Sequence, residues 1–180
     1  DYRDFKKLGK PRLFFGIAPG CMDSMVNKYT ANKRLRSEDA YSPDGRHDMR
    51  PEYPTIVYSQ ILKKLYPDVP VVLGGIEASL RRLTHYDYWQ DTLRKCILYD
   101  SGADMIIYGM GEKPIVELCR QLEQGVPFES ITDIPQTVYL AEAKDIEGNI
   151  SSNDILLYSH EECLKDKKAQ ASNFKHIEEE

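Results

Sequence analysis

Two short apolar runs, Val69 to Leu73 and Met105 to Tyr108, carry hydrophobic side chains at consecutive positions. Runs of this kind suit strands covered on both faces of a parallel sheet. Each is broken at once by glycine, at Gly74-Gly75 and at Gly109 and Gly111. Around them the period changes to that of helices. Pro54 opens a run with Tyr58, Ile61, Leu62 and Leu65 at helical spacing, and Pro67 stops it. Trp89, Leu93, Cys96 and Ile97 form a second apolar stripe, which predicts a helix over residues 89–99. Pro114 begins a third, with Ile115, Leu118, Cys119 and Leu122 on one face and Gly125 at its end. Residues 54–125 therefore read helix, strand, helix, strand, helix, which is a βαβ arrangement with flanking helices.

Upstream, Arg12 to Ile17 reads as a first strand, broken by Ala18-Pro19-Gly20. Residues 21–53 show no sustained period beyond a short helix around Met22 to Tyr29 and a turn at Ser42-Pro43-Asp44-Gly45. A polar stretch of that length inside a compact domain points to a specific role. Downstream, Thr137 to Leu140 is β-like, with turn residues at 145–149, so a hairpin or edge strand is expected there. Ser159 with Glu162 forms a capping box that starts a last helix rich in Lys and Glu. The expected fold is α/β and Rossmann-like. A mainly parallel sheet would carry helices on both faces, with a small β and helix appendage at the C-terminus. The expected division is an incomplete N-terminal domain over 1–135 and a linking segment over 136–180.

Composition narrows the function classes. The chain has 180 residues, 41% hydrophobic and 29% charged, with a net charge of −5. This suits a globular domain and argues against general nucleic-acid binding. No apolar stretch reaches the roughly 20 residues that span a bilayer, and the charged start at Asp1 is unlike a signal peptide. Cys21, Cys96, Cys119 and Cys163 are widely spaced, with no Cys-x-x-Cys. They read as free thiols of a reduced, cytoplasmic protein, with Cys96 and Cys119 on apolar helix faces. His160 and Cys163 stand at i and i+3, as metal ligands can, but no second pair accompanies them, so no metal site is assigned.

In open parallel sheets, ligands bind beyond the carboxyl ends of the strands. The candidate ligand-lining residues are accordingly Gly74, Gly75, Glu77, Ser79, Arg81, Arg82, His85, Tyr86, Asp87, Gly109, Gly111 and Glu112. Asp23, Ser24 and Asn27 join them from the polar stretch. The glycine turns match neither a dinucleotide fingerprint nor a phosphate-binding loop. Trp89 is expected in the core, with Tyr86 and Tyr88 alternating against Asp87.

The run Val71-Val72-Leu73-Gly74-Gly75-Ile76-Glu77-Ala78-Ser79-Leu80-Arg81-Arg82, followed by His85-Tyr86-Asp87-Tyr88-Trp89, closely resembles the YgiQ family of radical S-adenosylmethionine (SAM) proteins. Asp23-Ser24-Met25-Val26-Asn27, Tyr29-Thr30, Arg50-Pro51, Asp104 to Glu112 and the Ser159-led helix resemble it too. The resemblance implies a cobalamin-binding-type domain placed before a radical SAM barrel in a longer polypeptide. That barrel would hold a [4Fe–4S] cluster through Cys-x-x-x-Cys-x-x-Cys and bind SAM at the open iron. This chain has no such motif, so both cofactors are expected in the parent protein and none within the chain. The Asp-x-His segment that ligates cobalt in many cobalamin domains is absent as well. Protein-ligated cobalamin is therefore unsupported, while a mode without a protein ligand stays open. The resemblance further implies a strand–helix unit ahead of Asp1, and the barrel of the same polypeptide as partner. Three roles follow: an accessory domain that covers the barrel or positions substrate, a binding module for a corrinoid or nucleotide-like ligand, or a pure docking surface. The substrate is not specified.

Overall fold

The structure, a computed structural model, describes residues 2–7, 9–146 and 150–179. Three strands, β1 (Phe15–Ile17), β2 (Val71–Leu73) and β5 (Met105–Ile107), lie parallel in that order, and β6 (Thr137–Val138) closes the sheet antiparallel to β5. Val72 pairs with Gly16 on one side and Met105 on the other. Helix α1 (Tyr2–Lys6) precedes β1, and the strand connections carry α2 (Ser24–Lys28), α3 (Pro54–Leu65), α4 (Gly75–Leu80), α5 (Ile97–Ser101) and α6 (Glu112–Glu123). A short α7 (Ala143–Ile146) precedes α8 (His160–Lys165) and α9 (Lys167–Glu179).

The consecutive apolar residues of β2 and β5 serve two cores. Val71, Leu73 and Ile106 face a cluster with Leu62 of α3, Ala78 of α4 and Ile97 and Leu98 of α5. Val72, Met105 and Ile107 face the opposite side, against Leu118 of α6 and against Ile131 and Ile134. All six strand residues are at most 5% exposed, as a sheet sandwiched between helices requires. The α/β class with a mainly parallel sheet and helices on both faces is what the sequence pattern predicts, and it is compatible with a Rossmann-like fold.

The helix expected over residues 89–99 is not formed. In its place β3 (His85–Asp87) and β4 (Thr92–Arg94) make an antiparallel hairpin, and a helix begins only at Ile97. Asp87 causes this: its carboxylate accepts the N–H groups of Trp89 (2.9 Å) and Gln90 (3.1 Å), an Asx-type turn that competes with helix formation. Trp89, expected in the core, is half-buried instead. Cys96 stands at the residue before α5 rather than within a helix, and both it and Cys119 are half-buried. The expected edge strand is present as β6, whereas Asp145 and Ile146, expected in a turn, end α7; the turn residues 147–149 lie outside the described residues. The last helix starts on the Ser159–Glu162 capping box, but Asp166 divides it into α8 and α9.

Candidate functional site

Because α4 starts directly after β2, its first turn points Glu77 into the domain, where it is 0% exposed. Its carboxylate accepts the N–H of Ser24 (3.1 Å) and of Thr55 (3.3 Å). Those amides lie in the first turns of α2 and α3, so one negative charge satisfies the open N-terminal ends of two helices. One turn later, Arg81 pairs through Nη1 with Asp23 and also donates to the Glu77 carbonyl oxygen (3.3 Å). The other Asp23 oxygen caps α2 through Met25 N–H (3.0 Å) and Val26 N–H (3.2 Å). Burial pushes the Arg81 guanidinium down, and the Asp23 carboxylate more than offsets this and holds it above its ordinary value.

Asn27 and Ser24 extend this network. Asn27 Nδ2 donates to Asp39 (2.7 Å), whose carboxylate also accepts Tyr41 N–H (2.9 Å), Ser42 Oγ (3.0 Å) and Arg50 (3.1 Å). Burial pushes the Asp39 carboxyl up, but these donors overcome it and hold it at about 2. Ser24 Oγ is buried and has no hydrogen-bond partner among the described residues. Asp39 and Thr55 were not singled out from the sequence, and Arg50 entered only through the Arg50-Pro51 segment of the family resemblance. They lie in or beside the aperiodic stretch, where pattern carries no information about partners.

The β3–β4 hairpin sorts the aromatic cluster. Asp87 is buried and accepts Tyr53 Oη (2.6 Å), while Tyr86 and Tyr88 on either side are 55% and 45% exposed. Burial raises the Asp87 carboxyl, and the hydrogen bonds from Tyr53, Gln90 and Trp89 bring it below its usual range. His85 Nδ1 lies 3.0 Å from the Leu83 carbonyl oxygen, which can only accept, so Nδ1 carries the proton. Burial, offset in part by that bond and reinforced by Arg81, lowers its pKa and favours neutral imidazole. Arg82 donates to the Ser79 carbonyl oxygen (2.9 Å) and stacks 4.6 Å from the Tyr108 ring centre.

The glycine turns lie at a different place. Gly74, Gly75, Gly109, Gly111 and Glu112 border a groove of about 360 Å³ at the carboxyl end of the sheet, floored by Gly16, Val72 and Ile107. Ser79 ties its two rims together, donating to Gly75 O (2.8 Å) and accepting from Gly109 N–H (3.2 Å). Gly75 and Gly109 take φ of 79° and 65°, which a side chain would strain. Next to these glycines, Ile76 is 42% and Met110 74% exposed. Apart from Ser79, which bridges the two rims, the predicted residues fall into three sets. Gly74, Gly75, Gly109, Gly111 and Glu112 line the groove. Asp23, Arg81, Arg82, His85, Tyr86 and Asp87 line a second cavity. Glu77, Ser24 and Asn27 are internal.

The donor set of the chain does not fit an iron–sulfur cluster. Cys21 is exposed, Cys96 and Cys119 are half-buried and Cys163 is buried, and no three His, Cys, Asp or Glu side chains converge among the described residues. His160 Nδ1 contacts Thr84 Oγ1 (3.3 Å), whereas the Cys163 thiol contacts the Tyr158 carbonyl and Asn173. The groove is lined by no histidine, so it offers cobalt no imidazole ligand. No described helix is long and apolar enough to cross a membrane.

The fold is thus an α/β domain with an open apolar groove at the carboxyl edge of its sheet. The chain belongs to the radical SAM N-terminal family, which it matches over residues 1–180. A UPF0313 protein of Bacteroides thetaiotaomicron is 70% identical over 100% of this chain and 30% of its own length. A UPF0313 protein of Porphyromonas gingivalis is 65% identical over 99% of the chain and 28% of its own length. The UPF0313 protein YgiQ of Escherichia coli is 54% identical over 76% and 18%. The chain therefore spans under a third of the length of these relatives. No solved structure matches it.

Proposed function

We propose that this chain is the accessory domain of a radical SAM enzyme, and that it presents the carboxyl edge of its sheet to a catalytic barrel in the same polypeptide. There it covers the barrel mouth or positions substrate. The observation that carries this reading is exposed apolar surface at this edge: Ile115 lines the groove, and Ile76 and Met110 stand next to its lining glycines (41%, 42% and 74% exposed). Apolar surface of that kind, set on a scaffold fixed by buried ion pairs and caps, is suited to a protein interface. The barrel would hold the [4Fe–4S] cluster and SAM, supplying radical chemistry that this chain's residues do not. Four free thiols fit the same reading in a reducing, cytoplasmic setting.

The test is limited proteolysis of the full-length protein carrying Ile76→Glu and Met110→Glu. Charged residues in a desolvated interface weaken it, so cleavage of the connection after α9 should accelerate severalfold while the unfolding midpoint of the domain holds. Unchanged cleavage would count against the interface.

A further inference from the structure

The second cavity, of about 390 Å³, lies between the connection 80–89 and α9. Val26 of α2, Leu80, Tyr86 and Tyr88 of the connection, and Phe174 and Ile177 of α9 give it apolar walls. Val26, Leu80, Tyr86, Tyr88 and Phe174 are each at least 44% exposed, so the cavity is continuous with exposed apolar surface. Contiguous apolar surface of this kind marks a contact site. We infer that this cavity is filled by apolar side chains of the segment that follows α9 in the full-length polypeptide.

The chemistry of the occupant follows from how the polar side chains of the wall are already engaged. Arg81 is paired with Asp23, and Asp87 accepts the Tyr53 hydroxyl. Arg82 donates to the Ser79 carbonyl oxygen and lies over the Tyr108 ring. Tyr86 and Tyr88 donate their hydroxyls to Asp91 and to the Ala31 carbonyl oxygen. The wall is therefore mainly hydrocarbon and ring surface, which apolar side chains match. The source of the occupant follows from the path of α9. Gln170, Phe174, Ile177 and Glu178 recur at helical spacing and all line the cavity, so one face of α9 runs along it and the last turn forms part of the wall. The chain belongs to an N-terminal family and spans under a third of its relatives' length, so the longer polypeptide continues from that wall. A flexible segment of about 20 residues spans about 25 Å end to end, so its apolar residues reach the cavity without moving this domain. A tether that short holds them at about millimolar effective concentration, and a separate protein at micromolar level would need about a thousandfold higher intrinsic affinity to displace them.

The inference shares with the proposed function only the longer polypeptide, since neither Ile76 nor Met110 lines this cavity. Its test is photo-crosslinking in the full-length protein from a benzophenone amino acid at position 86, where the native ring is 55% exposed. The expected crosslinks join position 86 to peptides of the same molecule within about 20 residues after position 180. They persist when Ile76→Glu and Met110→Glu are added, because the contact does not depend on the barrel interface. Hydrogen exchange is the second readout. The segment after position 180 should exchange about tenfold faster when Leu80→Glu and Phe174→Glu are introduced together, while β2 and β5 keep their protection. Both substitutions replace side chains that are more than half exposed, so the fold is retained. Crosslinks to later parts of the polypeptide or to a second molecule overturn the inference, and so does the absence of crosslinks beyond position 180. Loss of the crosslinks in the Ile76→Glu, Met110→Glu variant overturns it as well, because the occupant then arrives with the barrel. Equal exchange of the segment with and without the two cavity substitutions also contradicts it.

Discussion

Arg81 closes on Asp23 across 58 residues of chain, and the pair is almost fully enclosed, with side chains 10% and 6% exposed. The pair joins the end of α4 to the start of α2, so the segment that carries the recognisable sequence motif is anchored from inside. Removing the cation leaves a buried carboxylate without its counter-charge. Arg81→Leu is expected to destabilise the domain by about 3–5 kcal/mol, and adding Asp23→Asn should recover about 2 kcal/mol of that. Asparagine still caps α2, so the recovery isolates the charge. Urea unfolding of the wild type and the two variants measures both quantities.

Glu77 offers a separate test of the same region. Glu77→Ala orphans the amides of Ser24 and Thr55 and removes a negative charge from two helix N-termini. A loss of about 3 kcal/mol is expected, against about 1 kcal/mol for Glu77→Gln, which keeps one acceptor. Amide hydrogen exchange at Ser24 and Thr55 should accelerate in the alanine variant first, because the effect begins at those two donors.

Asp39 sets an acid limit on the aperiodic stretch. Its carboxyl is depressed from 3.8 to about 2 in the folded protein. A depressed carboxylate binds fewer protons folded than unfolded, so its contribution is present above about pH 4 and is lost as pH falls through about 2. The wild-type protein should lose more unfolding free energy between pH 4.5 and pH 2.5 than Asp39→Asn, which cannot titrate there. Equal losses would show that the Asn27, Arg50 and Tyr41 contacts do not depend on its charge.

The sheet was legible in the sequence because Val71–Leu73 and Met105–Ile107 are apolar on both faces and are punctuated by glycine. The helix predicted over 89–99 failed for a local reason. The stripe Trp89, Leu93, Cys96 and Ile97 has helical spacing, but the Asp87 side chain captures the amides that would begin the helix, and Asp91 takes a φ of 53° at the hairpin tip. Candidate site residues were readable as a group, not as roles. Nothing in the pattern around Glu77 distinguishes a carboxylate facing a ligand from one that caps two helices, because its partners lie 53 and 22 residues away. The cavity beside α9 was out of reach for the same reason: Gln170 meets Thr84 across 86 residues.

The central claim is that the groove rim faces another part of the same polypeptide. Photo-crosslinking from position 110, with a benzophenone amino acid replacing Met110 in the full-length protein, tests it most directly. The residue is 74% exposed within this domain, so the probe replaces no core side chain. The account predicts crosslinks to peptides of the same molecule that lie outside these 180 residues. Crosslinks confined to residues 1–180, or none at all, would contradict it.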